Sequence, residues 1–398
     1  MQMLWIGCLE SEEEFKVKAS KGYDLASAQV SQKNLITGLE QEGNFTFDSI
    51  NGSVLPPYPI YEDKIIEPVE WSHSEGAFDI SVGYKNYRYV NRLNSKNAMI
   101  CQAEKWINDR YKGGGVCAFV YSMRSAPMAT ACFIKKRIPQ AKIYLIVTDL
   151  PQYMDLGQSK IKALLKKVDW ISISRMKEKM DGFILYASQM ARFLDIPNDK
   201  WMLMEGSYDI KETHEKSKHS GIKSVMYSGK LDNQYGIPML IDAFRLIKDD
   251  NVELWITGGG NAEGYVRQAA AKDKRIKFYG FLPSREAVID LQNQASLLVN
   301  MRLPSEEASN YCFPSKLFEY MATGVPVVSF KLGGIPEEYL QHLCIVEDES
   351  ETCLMQTLEK WLNYDANMLT ERGNKAKEFI CEYKNLNAQC KRIIEFIS

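Results

Sequence analysis

No apolar run approaches the roughly 18–20 residues that a membrane-spanning helix requires, so an ordinary transmembrane segment is not expected. Histidine is scarce: His73, His214, His219 and His342 are the only four, and none forms a ligand pair at helical spacing. The nine cysteines, from Cys8 to Cys390, contain no C-x-x-C pair, and Cys101, Cys117 and Cys132 sit in apolar runs. Reduced, buried thiols are expected and a zinc site is not. There is no charge excess either, with a formal net charge of −2, which gives no basis for bulk nucleic-acid binding. The phosphate-loop pattern G-x-x-x-x-G-K-[ST] is missing. So is G-x-G-x-x-G at the first strand of either half, which speaks against a dinucleotide dehydrogenase. The N-terminus, Met1-Gln-Met-Leu-Trp-Ile-Gly7, lacks a basic segment ahead of its apolar one. It reads as a first strand rather than a signal peptide, and the chain is expected in the cytoplasm.

What remains is an ordinary globular composition, 45% hydrophobic and 25% charged over 398 residues, a length that suggests two domains. Short apolar runs alternate with amphipathic ones. In the first half, strands are expected at 3–8, 116–121, 142–147, 182–188 and 201–205. Helices are expected at 24–39, with Asp24 as N-cap, and at 98–111, 127–137 and 189–194. The segment 160–179 carries apolar residues mostly three and four apart, with seven Lys or Arg residues among them. Either it is a domain helix with solvated lysines, or it lies on an anionic membrane surface at the inner face of the membrane. Lys211–Gly221 is polar, aperiodic and the best linker candidate. Alternation then resumes, with strands at 224–227, 252–257, 276–280, 297–301, 325–330 and 344–346. Helices are expected at 237–247, 262–271, 285–295, 351–364, 367–382 and 386–397. Such alternation predicts parallel sheets with crossovers. The domains are expected at 1–206 and 223–384, with a linker at 207–222 and a last helix in 385–398.

The stretch around which the second half is organised is Phe313-Pro-Ser-Lys-Leu-Phe-Glu-Tyr-Met-Ala-Thr-Gly-Val-Pro-Val-Val-Ser329. Pro314 and Ser315 suit a helix start, where proline loses no bond and serine can cap. Leu317, Phe318 and Met321 share a face, Gly324 ends the helix, and Val325–Phe330 suits an interior strand. Lys316 and Glu319 have two readings. One is a phosphate held at the helix N-terminus by the lysine, with ribose hydroxyls on the carboxylate. The other is a surface helix with an i,i+3 ion pair.

Ligands of doubly wound sheets bind beyond the carboxyl ends of the strands. Three loops are expected there: Ser228-Gly229-Lys230, Gly258-Gly259-Gly260, and Glu306–Lys316. Lysines and glycines in such loops are suited to a nucleotide diphosphate.

The ordered motifs Tyr227-Ser-Gly-Lys-Leu231, Leu254-Trp-Ile-Thr-Gly-Gly-Gly260, Phe278-Tyr-Gly-Phe-Leu282 and Phe313–Val328 resemble the retaining GT-B glycosyltransferases, specifically family 4. The first half is similar in layout alone. The resemblance implies an α/β fold of two Rossmann-like doubly wound domains facing a cleft, with the C-terminal helix crossing back to the first. It implies transfer of a sugar, hexosyl type, from a nucleoside-diphosphate sugar to a glycan or lipid-linked acceptor, with retention and without a cofactor or metal. It places Lys230 and Lys316 on the diphosphate, Glu319 on the ribose, and Ser228, Gly229, Gly258, Gly259, Phe281, Leu282, Tyr311, Phe313, Pro314 and Ser315 around the donor. Bacterial surface-polysaccharide enzymes with Phe-Pro-Ser-Lys are the nearest type.

The departures are specific. The family's first glutamate falls on Tyr311, and the second of its paired basic residues falls on Tyr235. Lys316 is then the expected replacement cation. Glu205-Gly206 stands at the end of the first half, and no glycine loop is evident after Cys8. Asp149 reads either as the acceptor-orienting group or as a turn residue before Pro151. Gln29, Gln32 and Asn34 read either as acceptor contacts or as surface. Three rivals share the pattern: a partner subunit that binds nucleotide-sugar without turnover, which Tyr311 and Tyr235 favour; a sugar-nucleotide epimerase, for which acid/base groups are few; and a plain α/β scaffold.

Overall fold

The computed structural model describes residues 1–23, 26–152, 160–208 and 222–398. The expected N-cap Asp24 and the linker candidate Lys211–Gly221 lie outside the described residues. The chain divides into two compact units, one of residues 1–186, 190–204 and 390–398, the other of residues 187–189 and 205–389.

Unit 1 runs β1 (Gln2–Gly7), α1 (Glu12–Ser20), α2 (Ala26–Gly43), β2 (Phe47–Asn51), β3 (Ile65–Ile66), β4 (Val69–Trp71), β5 (Asp79–Ser81), β6 (Tyr84–Lys85), α3 (Asn91–Asp109), β7 (Val116–Tyr121), α4 (Ser125–Arg137), β8 (Lys142–Val147), α5 (Lys160–Lys177), β9 (Gly182–Leu185), α6 (Gln189–Phe193, whose first residue clusters with unit 2) and β10 (Trp201–Leu203). Eight strands form a sheet in the order β10-β9-β8-β7-β1-β2-β5-β4. All pairs are parallel except β4 with β5. Met3–Ile6, Val116–Val120 and Ile143–Val147 are buried throughout, as a parallel strand covered on both faces requires.

Helix α1 is absent from the sequence-based expectation because it has no apolar stripe. Its start is a capping box, in which Ser11 Oγ accepts from Glu14 N and Glu14 accepts from Ser11 N. Its buried residue is Lys18, whose Nζ lies 2.6 Å from Glu10 and 2.9 Å from Ser53 Oγ. Helix α2 starts at Ala26 and reaches Gly43, and α3 starts at Asn91, earlier than the expected 98.

Gln29 and Gln32 are buried, not surface residues. Gln32 Oε1 accepts from Trp5 Nε1 and Cys8 N, and Gln29 bridges Glu10 N and Cys8 O. The two amides satisfy the backbone of the loop after β1, so they are committed within the fold.

Unit 2 runs β11 (Lys223–Ser228), α7 (Ile237–Leu246), β12 (Val252–Thr257), α8 (Glu263–Lys272), β13 (Ile276–Gly280), α9 (Arg285–Gln294), β14 (Leu297–Asn300), α10 (Lys316–Thr323), β15 (Val327–Phe330), α11 (Glu337–Leu340), β16 (Cys344–Val346), α12 (Glu351–Leu362) and α13 (Ala366–Tyr383). Its six strands are all parallel in the order β13-β12-β11-β14-β15-β16. That is the doubly wound order, with its reversal point between β11 and β14, where the crossovers diverge and leave a crevice.

The last helix, α14 (Leu386–Ile397), belongs to both units, and from Cys390 onward it packs in unit 1. There Arg392 donates to Leu203 O and Tyr144 Oη donates to Ile397 O. Among the described residues no helix is long and apolar enough to cross a membrane.

Candidate functional site

The carboxyl end of β11 meets the start of α10 at the reversal point of unit 2. Helix α10 is fixed by burial: Leu317, Phe318, Tyr320 and Met321 all lie in the core, each worth about 1.5–3 kcal/mol. Gly324, with φ 76°, closes it. Ser315 occupies the N-cap position, but it is helical and its side chain makes no cap bond. The first turn is tightened instead, with Leu317 N donating to Pro314 O at 2.8 Å and Phe318 N to Ser315 O at 3.2 Å. These two N–H groups are therefore spent within the chain, and the anion handle at this end is Lys316 itself.

Lys316 lies across Gly229. A Cβ on Gly229 would stand 2.6 Å from Lys316 Cε and 3.3 Å from its Nζ, and φ there is +146°, so only glycine lets the lysine through. Burial pushes the Lys316 ammonium below the usual lysine range; the Glu319 carboxylate counters this and Arg285 adds to it. The expected i,i+3 ion pair does not form: no ion pair engages Lys316 among the described residues. Its Nζ faces the Tyr320 ring at 5.7 Å. Lys316 is thus a half-buried cation with no ion pair among the described residues.

Glu319 is held from two sides. Its Oε1 accepts from Gln292 Nε2 at 2.7 Å, and its Oε2 lies 3.7 Å from Arg285 Nε. The same Gln292 nitrogen donates to Ser228 Oγ at 2.9 Å, and Ser228 is tied again to Tyr320 Oη at 3.1 Å. Ser228 is thus buried, with its hydroxyl bonded to Gln292 and Tyr320.

Lys230 is exposed and paired with Asp232 at 2.6 Å, which raises its pKa. Its Nζ stands 5.9 Å from the Tyr235 ring centre, and Arg302, two residues beyond β14, stands 5.2 Å from the same ring. Tyr235 supplies no charge, but it gathers two cations. Arg302 and Gln292 escaped the sequence reading. Arg302 follows a strand at the reversal point, which is the available signal. Gln292 is a polar residue on the buried face of α9, beside Ile289 and Asn293.

The glycine loops interlock. A Cβ on Gly258 would fall 1.8 Å from Gly229 O, and Leu231 N donates to Gly259 O at 2.9 Å. Phe281 is 83% exposed, with its ring against Gly259, and Leu282 beside it is half-buried. Tyr311 is half-buried, Pro314 is buried and Ser315 is exposed. Phe313 is not turned to a ligand. Its ring packs in the core 5.0 Å from both Phe318 and Tyr339. Asp149 lies in unit 1, exposed just past the carboxyl end of β8. The structure thus brings Lys230, Lys316, Glu319 and the glycine loops together within unit 2.

Comparison with known proteins bears on the fold and on the second half of the chain. The profile of the family "Glycosyl transferases group 1" matches residues 222–363. The amylovoran biosynthesis glycosyltransferase AmsK of Erwinia amylovora is 30% identical over 118 residues, which are 28% of this chain and 29% of AmsK, so the match spans under a third of that relative. Sucrose-phosphate synthase of Thermosynechococcus elongatus superposes with a TM-score of 0.65 at 15% identity, covering 100% of this chain and 98% of that one. HepE of Anabaena, solved in complex with UDP, gives 0.61 at 13% identity, covering 100% and 99%. At these identities the structural likeness is one of fold. Residues 222–363 therefore match the group 1 glycosyl transferases, within a chain whose fold is the two-domain, Rossmann-like GT-B.

Proposed function

We propose that this chain transfers a hexosyl group from a nucleoside-diphosphate sugar to a hydroxyl of a glycan or lipid-linked acceptor, with retention of anomeric configuration and without a metal, as a family 4 enzyme of surface-polysaccharide synthesis. The carrying observation is the half-buried Lys316 ammonium laid across Gly229 with no ion-pair partner. Lys316 and Lys230 neutralise the leaving diphosphate, and Arg302 supports them from across Tyr235. Glu319, steadied by Gln292, takes the ribose hydroxyls. The bond from the anomeric carbon to the phosphate oxygen breaks, and the acceptor oxygen bonds to that carbon on the same face. The acceptor proton passes to the departing phosphate oxygen. Preorganised charge of this kind is the main catalytic term, and losing one donor costs roughly 10²–10³ in rate. Asp149 is assigned to the acceptor. AmsK, named for amylovoran biosynthesis, supports a polysaccharide pathway. HepE, solved with UDP, supports a nucleotide donor. The place of action on this reading is the cytoplasm, at the inner face of the membrane.

One observation favours a second reading, a nucleotide-sugar-binding partner without turnover: Tyr311 stands where the family has a carboxylate. Incubation with radiolabelled UDP-, GDP- and dTDP-hexoses separates the readings. Slow release of free hexose is expected. Nucleotide binding without release would leave the partner reading, interconversion of epimers would indicate an epimerase, and no binding of any nucleotide would sink all three.

A further inference from the structure

The small antiparallel pair β3–β6 has one face in a core of Leu55, Tyr61, Ile66 and Tyr84. Its register places Ile65 opposite Lys85 and Ile66 opposite Tyr84, so the outward face carries an aliphatic and a cationic side chain side by side. A separate, parallel bridge joins Tyr58 to Tyr87. On the pair and in the segments flanking it are six exposed hydrophobics: Ile60 64%, Ile65 52%, Tyr87 43%, Tyr89 77%, Val90 43% and Leu93 51%. An apolar cluster of this kind on a surface marks a contact. Tyr89 is held at φ +73°, a conformation that a bulky residue adopts at a cost, and it is 77% exposed.

The charge around the cluster decides the partner. The segment Tyr84–Lys96 contains Lys85, Arg88, Arg92 and Lys96 and no acidic residue, although the whole chain is net −2. Beside it, Lys64 stands 5.1 Å from the Tyr58 ring centre and Arg88 5.1 Å from that of Tyr89. Of the neighbouring acids, Glu62 and Asp63 are paired with Lys21, and Glu67 follows β3. Tyrosines and aliphatic side chains ringed by Lys and Arg match the boundary between acyl chains and anionic headgroups. A glycan would need the rings and the cations but not the exposed Ile60, Ile65, Val90 and Leu93.

We propose that the surface formed by residues 58–65 and 84–96 seats this chain on an anionic lipid bilayer. The expected membrane contact at 160–179 is a different surface. The side chains of 160–166 and 168, on which most of that reading rests, lie outside the described residues, and of the rest Lys167, Ile171 and Arg175 are exposed. The proposal stands apart from the transfer reaction, because its readout needs no catalysis.

The test is co-sedimentation of the full chain with phosphatidylcholine vesicles, with and without phosphatidylglycerol. Binding is expected to the anionic vesicles only and to weaken with salt. The variant K85Q/R88Q is expected to lose roughly fivefold in partitioning for each charge removed. Y89S/L93S is expected to lose binding even at low salt, and R175Q in α5 to retain it. All these side chains are exposed, so melting temperatures should match the parent and separate a binding loss from a folding loss. Equal recovery with neutral vesicles, no recovery with anionic ones, or full binding by both double variants would overturn the proposal. A dimer of the lipid-free chain that both double variants dissociate would assign the face to a second copy instead.

Discussion

Gln292 Nε2 stands 2.7 Å from Glu319 Oε1 and 2.9 Å from Ser228 Oγ, so one buried amide holds the carboxylate of α10 and the end of β11 together. Replacing Gln292 with Met keeps the volume but leaves Ser228 and Glu319 without this donor, and such a loss costs about 1–3 kcal/mol. Glu319 then keeps the Arg285 contact at 3.7 Å and the nearby Lys316 charge. Binding of a whole nucleoside diphosphate should fall on the order of tenfold, while inorganic pyrophosphate, which has no ribose, should bind as before. Calorimetric titration of both ligands against Q292M checks this. Equal losses for the two would remove Gln292 from the ribose side of the site.

Lys316 predicts a pH dependence. Burial lowers the pKa of the free protein's ammonium, and a bound diphosphate raises it again by supplying charge. Binding therefore takes up a proton wherever the pH exceeds the lowered value, and affinity falls as pH rises through it, before an ordinary lysine would titrate. The expected result is a loss of nucleoside diphosphate affinity on the alkaline side that K316A does not show. K316A itself should bind the diphosphate at least tenfold more weakly while leaving nucleoside binding little changed.

His73 predicts a second pH effect, on stability. Its Nδ1 lies 2.6 Å from Asp79 and its Nε2 3.0 Å from Glu40. Burial alone would lower its pKa, but hydrogen bonds and charge from the two carboxylates outweigh that and raise it from 6.5 to about 9. The folded state therefore binds the proton more tightly than the unfolded one. The stabilisation is complete below pH 6.5 and is lost as pH rises through 9. Thermal melts from pH 6 to 10 should show a decline that H73Q lacks; parallel curves would count against it.

Lys384 and Glu205 form an ion pair at 2.6 Å, with side chains only 4% and 0% exposed, and Tyr339 Oη adds a bond to the same carboxylate oxygen. Lys384 has a second partner in Glu338 at 2.6 Å, but removing Lys384 strands the buried Glu205 carboxylate, at a cost of about 3–5 kcal/mol. K384M should lower the denaturation midpoint strongly, and the double variant E205Q/K384M should recover part of the loss. A double variant worse than K384M would show that the two are not coupled in this way.

The elements of unit 2 were legible because parallel strands covered on both faces are short apolar runs, and the reading places β12, β13, β16 and α14 at the bounds observed. Helix α1 was not, since its buried side chain is Lys18 and periodicity counts only apolar residues; the capping box Ser11-x-x-Glu14 was the available signal. The site divides in the same way. Lys316, Glu319, Lys230 and the glycines announce themselves within local motifs. Gln292, Arg302 and Tyr320 join them only because α9, β14 and α10 converge at the end of β11.

The sequence by itself determined the alternation of strand and helix, and hence the parallel sheets, together with the residue types at the strand ends. The tertiary structure decided which of those residues remain available to a ligand. Gln29, Gln32, Ser228 and Phe313 are consumed by the fold, and Ser315 caps nothing. Lys230 is paired with Asp232, and Lys316 is left across Gly229 with no ion pair among the described residues. The physical reason is that local pattern follows from each residue's own hydropathy and backbone preference. Whether a polar group is satisfied depends on partners that only folding brings within hydrogen-bonding distance.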